Sequence, residues 1–135
     1  MSTANKTIIQ RLFAEIYNRG DLRVADEIVA SNYICHNPFP GEAPGREGFK
    51  AFVAYLRRAL ADLRIAIADQ IGEDDRVVTR LTINGVQQGE FAGIPSTGKP
   101  VTVHAVSIHR IRNGQIQECW LSWDALGLMQ QLGVE

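Results

Sequence analysis

Four side chains could carry acid–base chemistry in this sequence: Asp124, His36, His104 and His109. Asp124 follows Trp120-Leu121-Ser122-Trp123 and precedes an apolar helical pattern. Asp is a favoured helix N-cap, because its carboxylate accepts the first free backbone N–H groups. The same carboxylate set among indoles would be desolvated, which raises its pKa and suits it to proton transfer. The two readings are compatible. His36 ends a short extended piece, Tyr33–His36, while His104 and His109 lie on a long strand pattern. Asn113-Gly114 marks a two-residue hairpin turn, since both positions take positive φ. Folding about it sets Ile111 opposite Ile116 and Val103 opposite Asp124. His104 is then diagonal to Asp124 but on the other face. One β-bulge would bring the two onto the same face. His109 shares the face of Asp124 without a bulge, but lies about six residues, or roughly 20 Å, along the ladder. His104 is therefore the preferred partner. For each histidine, a hydrogen-bonded structural role is the ordinary alternative. Tyr33, Phe39, Phe91, Trp120 and Trp123 are the aromatics that could line an apolar pocket, with plain core packing as the alternative for each.

Other chemistries lack their signatures. No dinucleotide or phosphate-loop glycine spacing, HExxH pair or GxSxG elbow is present. Cys35 and Cys119 are far apart and form no CxxC pair, so they read as buried thiols acting as small hydrophobes. No His/Cys cluster has metal-ligand spacing. None of these signatures points to a cofactor or a metal.

The elements that must position these residues follow from periodicity. Ile8, Ile9, Leu12, Phe13 and Ile16 stripe a helix over Thr3–Asn18, ended by Gly20. Asp21 caps a second helix carrying Leu22, Val24, Ala25, Ile28 and Val29. The stretch Asn37–Gly45 is a Pro/Gly-rich loop. A third helix spans Arg46–Leu60. Strands follow at Leu63–Ile67, Arg76–Gln88, Val101–Arg112 and Gln115–Trp123, with an irregular loop over Gly89–Lys99. A short helix, Ala125–Leu132, closes the chain. Helices first and strands after imply an α+β fold, a curved antiparallel sheet of about four long strands covered by helices. A conical pocket between the layers would suit a small ligand.

The 135 residues fit one domain, 1–135, with 45% hydrophobic and 21% charged residues. A net charge of −1 without a basic stripe argues against nucleic acid. No apolar run reaches the roughly 20 residues that span a bilayer. The N-terminus lacks the apolar stretch of a signal peptide, so a cytoplasmic location is expected.

Three motifs carry a family resemblance. Pro44-Gly-Arg-Glu-Gly-Phe-Lys-Ala-Phe52 opens the third helix, and Gln88-Gly-Glu-Phe-Ala-Gly-Ile-Pro-Ser-Thr-Gly-Lys-Pro-Val101 forms a central loop. Ile108–Ile116 and Trp123–Gly133 make the last hairpin and terminal helix. Nearly the whole chain resembles SnoaL-like polyketide cyclases of the nuclear transport factor 2-like superfamily. That resemblance implies a cone-shaped α+β barrel, a homodimer or higher homo-oligomer, and intramolecular aldol cyclisation of a small hydrophobic or aromatic molecule. It implies Asp124 as general acid/base, with His104 and then His109 as matches for a strand histidine. His36 matches a pocket-facing position after the first strand. Ser122 stands where some cyclases place another pocket histidine, and joins Tyr33, Phe39, Phe91 and Trp120 as an expected substrate contact. An epoxide hydrolase-like or ketosteroid isomerase-like enzyme and a non-catalytic binding protein are the competing readings.

Overall fold

The computed structural model describes residues 2–39 and 41–133. Helix α1 (Ser2–Arg11) runs on into a wider π-helical segment, Leu12–Asn18. It buries Ile9, Leu12, Phe13 and Ile16. Gly20, at φ 75°, ends it by donating its N–H to the Ile16 carbonyl at 3.0 Å. Helix α2 (Arg23–Ile28) follows. The Asp21 carboxylate accepts the Arg23 N–H at 3.2 Å. Next come β1 (Val29–Cys35), α3 (Gly45–Ala59), β2 (Leu60–Glu73), β3 (Arg76–Gln87), β4 (Pro100–Arg112), β5 (Gln115–Trp123) and α4 (Ala125–Gln131).

The strands form one sheet ordered β1-β5-β4-β3-β2. The four long strands β2 to β5 are antiparallel as expected, and the short extended piece is part of β1, a fifth strand that pairs parallel to β5. Val29, expected to end the second helix, opens that strand. Its side chain is fully buried, and its β-branching favours a strand over a helix. The hairpin turn is as expected, with Asn113 at φ 54° and Gly114 at φ 75°.

Alternation sorts the long strand cleanly. On β4, Val101, Val103, Ala105, Ser107, His109 and Ile111 are buried, while His104 and Val106 are exposed. The concave face thus meets α1, the π-helical segment and α3. Asn18 ties that segment to the sheet, since its side-chain amide donates to the Ile65 carbonyl at 3.0 Å and accepts the Ile65 N–H at 2.7 Å. Gln87, fully buried, organises the loop after β3. It donates to the carbonyls of Ile94 and Pro95 and accepts the N–H and hydroxyl of Thr97. A buried amide with its hydrogen bonds made is affordable, and this one fixes the loop carrying Phe91.

Candidate functional site

Between the sheet and the helices lies a cavity of about 100 Å³. Phe13 and Tyr17 reach it from the π-helical segment, a widening that recurs at functional sites. Tyr33 and Cys35 reach it from β1, Ser107 and His109 from β4, and Cys119, Leu121 and Trp123 from β5. Phe39, Phe52 and Glu42 also border an outer cleft of about 600 Å³, so they stand where the two spaces meet. The mouth is aromatic: Phe39 lies 5.2 Å from Phe91 and 5.7 Å from Phe52, ring centre to ring centre.

Polar groups are few and concentrated. Ser107 and Thr79 are opposite each other on β4 and β3, and His109 is two residues along the same face. Thr79 Oγ1, Ser107 Oγ and His109 Nδ1 are buried without a hydrogen-bond partner. Each such group costs on the order of 1–3 kcal/mol while it has no partner, and of the three only Ser107 and His109 line the cavity. Burial pulls the His109 pKa from 6.5 down to about 4, so its imidazole is neutral near pH 7. Glu42 is pushed the other way, above the ordinary carboxylate range, mainly by desolvation. Its Oε1 accepts the Phe39 N–H at 3.2 Å. Burial also raises the Tyr17 and Tyr33 hydroxyls, which stay protonated as donors.

Several expected site residues sit elsewhere. The bulge does occur: Ile111 pairs with Ile116, but Arg110 pairs with Glu118, which leaves Gln117 as the extra residue. His104 and Asp124 consequently face each other, joined by the Asp124 N–H to the His104 carbonyl at 3.1 Å. Their shared face is the outer one, and both are exposed. The Asp124 carboxylate caps α4, accepting the Gly127 N–H at 2.8 Å, and does not line the cavity. The same alternation turns Trp120 and Ser122 outward, leaving Cys119, Leu121 and Trp123 inside. His36 is also outside, one residue beyond the inward Cys35. Its ring stacks on Trp120 at 4.7 Å, and its Nε2 lies 3.1 Å from Glu118. In its place Asn37 reaches the cavity, its amide accepting the Leu121 N–H at 2.8 Å and donating to the Leu121 carbonyl. Tyr33, Phe39 and Phe91 do line the wall. Asp124, His104, His36, Trp120 and Ser122 are therefore corrected as cavity residues. His109, disfavoured by its distance from Asp124, does line the cavity, as do Ser107 and Glu42, which the sequence reading does not single out. The odd-numbered alternation on β4 was the signal that could have found Ser107 and His109.

The model of the SnoaL-like polyketide cyclase family matches residues 7–132. This chain belongs to that family. One relative, the aklanonic acid methyl ester cyclase DauD of Streptomyces sp. strain C5, is 30% identical over 91% of this chain and 78% of its own length. The cyclase of the same description from Streptomyces peucetius, DnrD, is also 30% identical, over 91% of this chain and 87% of its own. Among solved structures, TsrD from Streptomyces laurentii superposes with a TM-score of 0.92 at 30% identity, covering 100% of this chain and 98% of that one. Within the SnoaL-like fold, the inward positions of β5 nearest α4 are here Leu121 and Trp123, neither of which titrates.

Proposed function

We propose that this chain is a cyclase acting on an apolar, carbonyl-bearing polyketide, with His109 as the proton-transfer group. The observation that carries this is the neutral His109 imidazole beside the unpartnered Ser107 hydroxyl in an aromatic cavity. In this reading His109 takes a proton from the carbon α to a carbonyl. The Ser107 O–H donates to the oxygen as it becomes an enolate, a contact that strengthens where charge develops. The enolate carbon attacks a second carbonyl of the same molecule, and the imidazolium or protonated Glu42 returns a proton to the new alkoxide. The wall of Phe13, Tyr33, Phe91 and Trp123 folds the substrate so the reacting carbons meet, which replaces an entropic cost of chain closure. A substrate larger than the inner cavity extends past Phe39 into the outer cleft. Asp124 supports α4 and stays outside the chemistry. Homo-oligomerisation, expected from the family resemblance, belongs to the same proposal and is read by light scattering.

The test incubates purified protein with aklanonic acid methyl ester and with one- and two-ring analogues, following ring closure by mass spectrometry and chromatography. His109→Gln should lose roughly 10²–10⁴-fold in turnover, the usual weight of a general acid–base group. Ser107→Ala should lose about 10²-fold. Asp124→Asn should keep wild-type turnover. Loss of activity in Asp124→Asn with activity kept in His109→Gln would overturn the assignment. A second reading, a ligand-binding protein without turnover, is favoured by the capping geometry of Asp124. Tight binding of these compounds without any product selects it.

A further inference from the structure

Cys35 and Cys119 are the protein's only cysteines and both are free thiols. They are direct partners across the parallel β1–β5 pair. Adjacent strands run about 4.8 Å apart, and disulfides form where Cα atoms are roughly 4.4–6.8 Å apart. Their side chains point to the same concave face and both line the cavity. Residues distant in sequence are thus placed as a vicinal dithiol in the wall of a ligand-sized space. The backbone holds the pairing, since the His36 N–H donates to the Cys119 carbonyl at 2.9 Å.

We propose that Cys35 and Cys119 form a redox-active dithiol that a peroxide closes to a disulfide, tying edge strand β1 to β5 and removing both S–H groups from the cavity wall.

The roles of the two thiols differ. Cys35 is partly exposed, and its Sγ lies 3.8 Å from the Asn37 carboxamide oxygen. Contact with Cys119 lowers its pKa, so it is the better thiolate. Cys119 is buried, and contact with Cys35 followed by desolvation raises its pKa, so it waits protonated. Cys35 sulfur attacks one peroxide oxygen: the S–O bond forms, the O–O bond breaks, and the departing hydroxide takes the Cys35 proton as water. Cys119 sulfur then attacks the Cys35 sulfenic acid. The S–S bond forms, the S–O bond breaks, and the second hydroxide leaves as water with the Cys119 proton. Two electrons pass from the thiols to the peroxide. A small dithiol reduces the disulfide back to the two thiols by exchange and is itself oxidised to a cyclic disulfide.

β1 is where such a tie would act. Its pairing with β5 shifts register between Val29 and Ile34, leaving Ile34 and Cys35 as the last rungs before the loop that carries Asn37 and Phe39. Closure joins that loop's origin covalently to the strand bearing Leu121 and Trp123.

The test treats the full-length wild-type protein with hydrogen peroxide near stoichiometry, then weighs it intact under denaturing, non-reducing conditions. The proposal expects a monomer lighter by two hydrogens, no thiol reactive toward an aromatic disulfide reagent, and a peptide containing both cysteines. It also expects a Tm raised by several degrees and restored by dithiothreitol. Cys119→Ser, treated alike, should instead gain one or more oxygens on Cys35. Oxygen added to Cys35 of the wild-type protein without loss of two hydrogens would overturn the proposal. So would a disulfide between two chains, or two thiols surviving peroxide. None of these readouts depends on turnover.

Discussion

The buried histidine makes the most demanding prediction. If His109 is neutral and sealed among Phe13, Val77 and Cys119, the folded protein resists its protonation while the unfolded chain does not. Its pKa is about 4 when folded, against 6.5 in the unfolded reference. Between those values the unfolded state binds more protons, so stability falls as the pH is lowered. The contribution is fully present above pH 6.5, fades through the window 6.5 to 4, and is gone below it. With about 1.4 kcal/mol per tenfold, the loss from pH 7 is about 2 kcal/mol at pH 5 and about 3 kcal/mol at pH 4. His109→Gln removes the titrating group and keeps a side chain of similar length. Urea unfolding of both proteins at half-unit steps from pH 7 to 4 isolates the effect, because all other titrations are common to the two. The variant starts lower at pH 7 and loses about 3 kcal/mol less than wild type on acidification. Parallel curves would refute a buried, uncharged His109 and, with it, the proton acceptor of the proposed reaction.

Asp124→Ala should cost about 1 kcal/mol in chemical denaturation, the usual value of a lost N-cap, and leave the cavity's ligand affinity unchanged. A larger cost accompanied by loss of affinity would mean that α4 holds the cavity shut. Thr79→Val should raise stability by about 1–2 kcal/mol, because it trades an unpartnered buried hydroxyl for a methyl of the same shape. A fall in Tm would show that the hydroxyl is paired in solution. Gly48→Ala drives a Cβ into the Ala43 carbonyl oxygen. Backbone must move there, so a loss of about 1–3 kcal/mol is expected, with altered ligand binding at the neighbouring Glu42. An unchanged melting curve would contradict the packing of α3 on that loop.

Periodicity, turn chemistry and capping are local, and they were legible. The stripe of Ile9, Leu12, Phe13 and Ile16, the Asn113-Gly114 turn and the Asp124 cap are each decided by neighbours within a few residues. The family motifs extend over the chain, and so the SnoaL-like fold was legible too. Which way the strand residues face at the far end of β5 was not. A two-residue repeat carries orientation along a strand only while the ladder is regular, and one extra residue reverses it. Gln117 is that residue. Beyond it Cys119, Leu121 and Trp123 turn inward, while Trp120, Ser122 and Asp124 turn out. The sequence alone determined that a carboxylate starts the last helix and that histidines occupy the sheet. Only the tertiary structure decided that His109, Ser107 and Glu42 share the enclosed space and that Cys35 meets Cys119, because both follow from strand register and the parallel return of β1, set by packing across the whole domain.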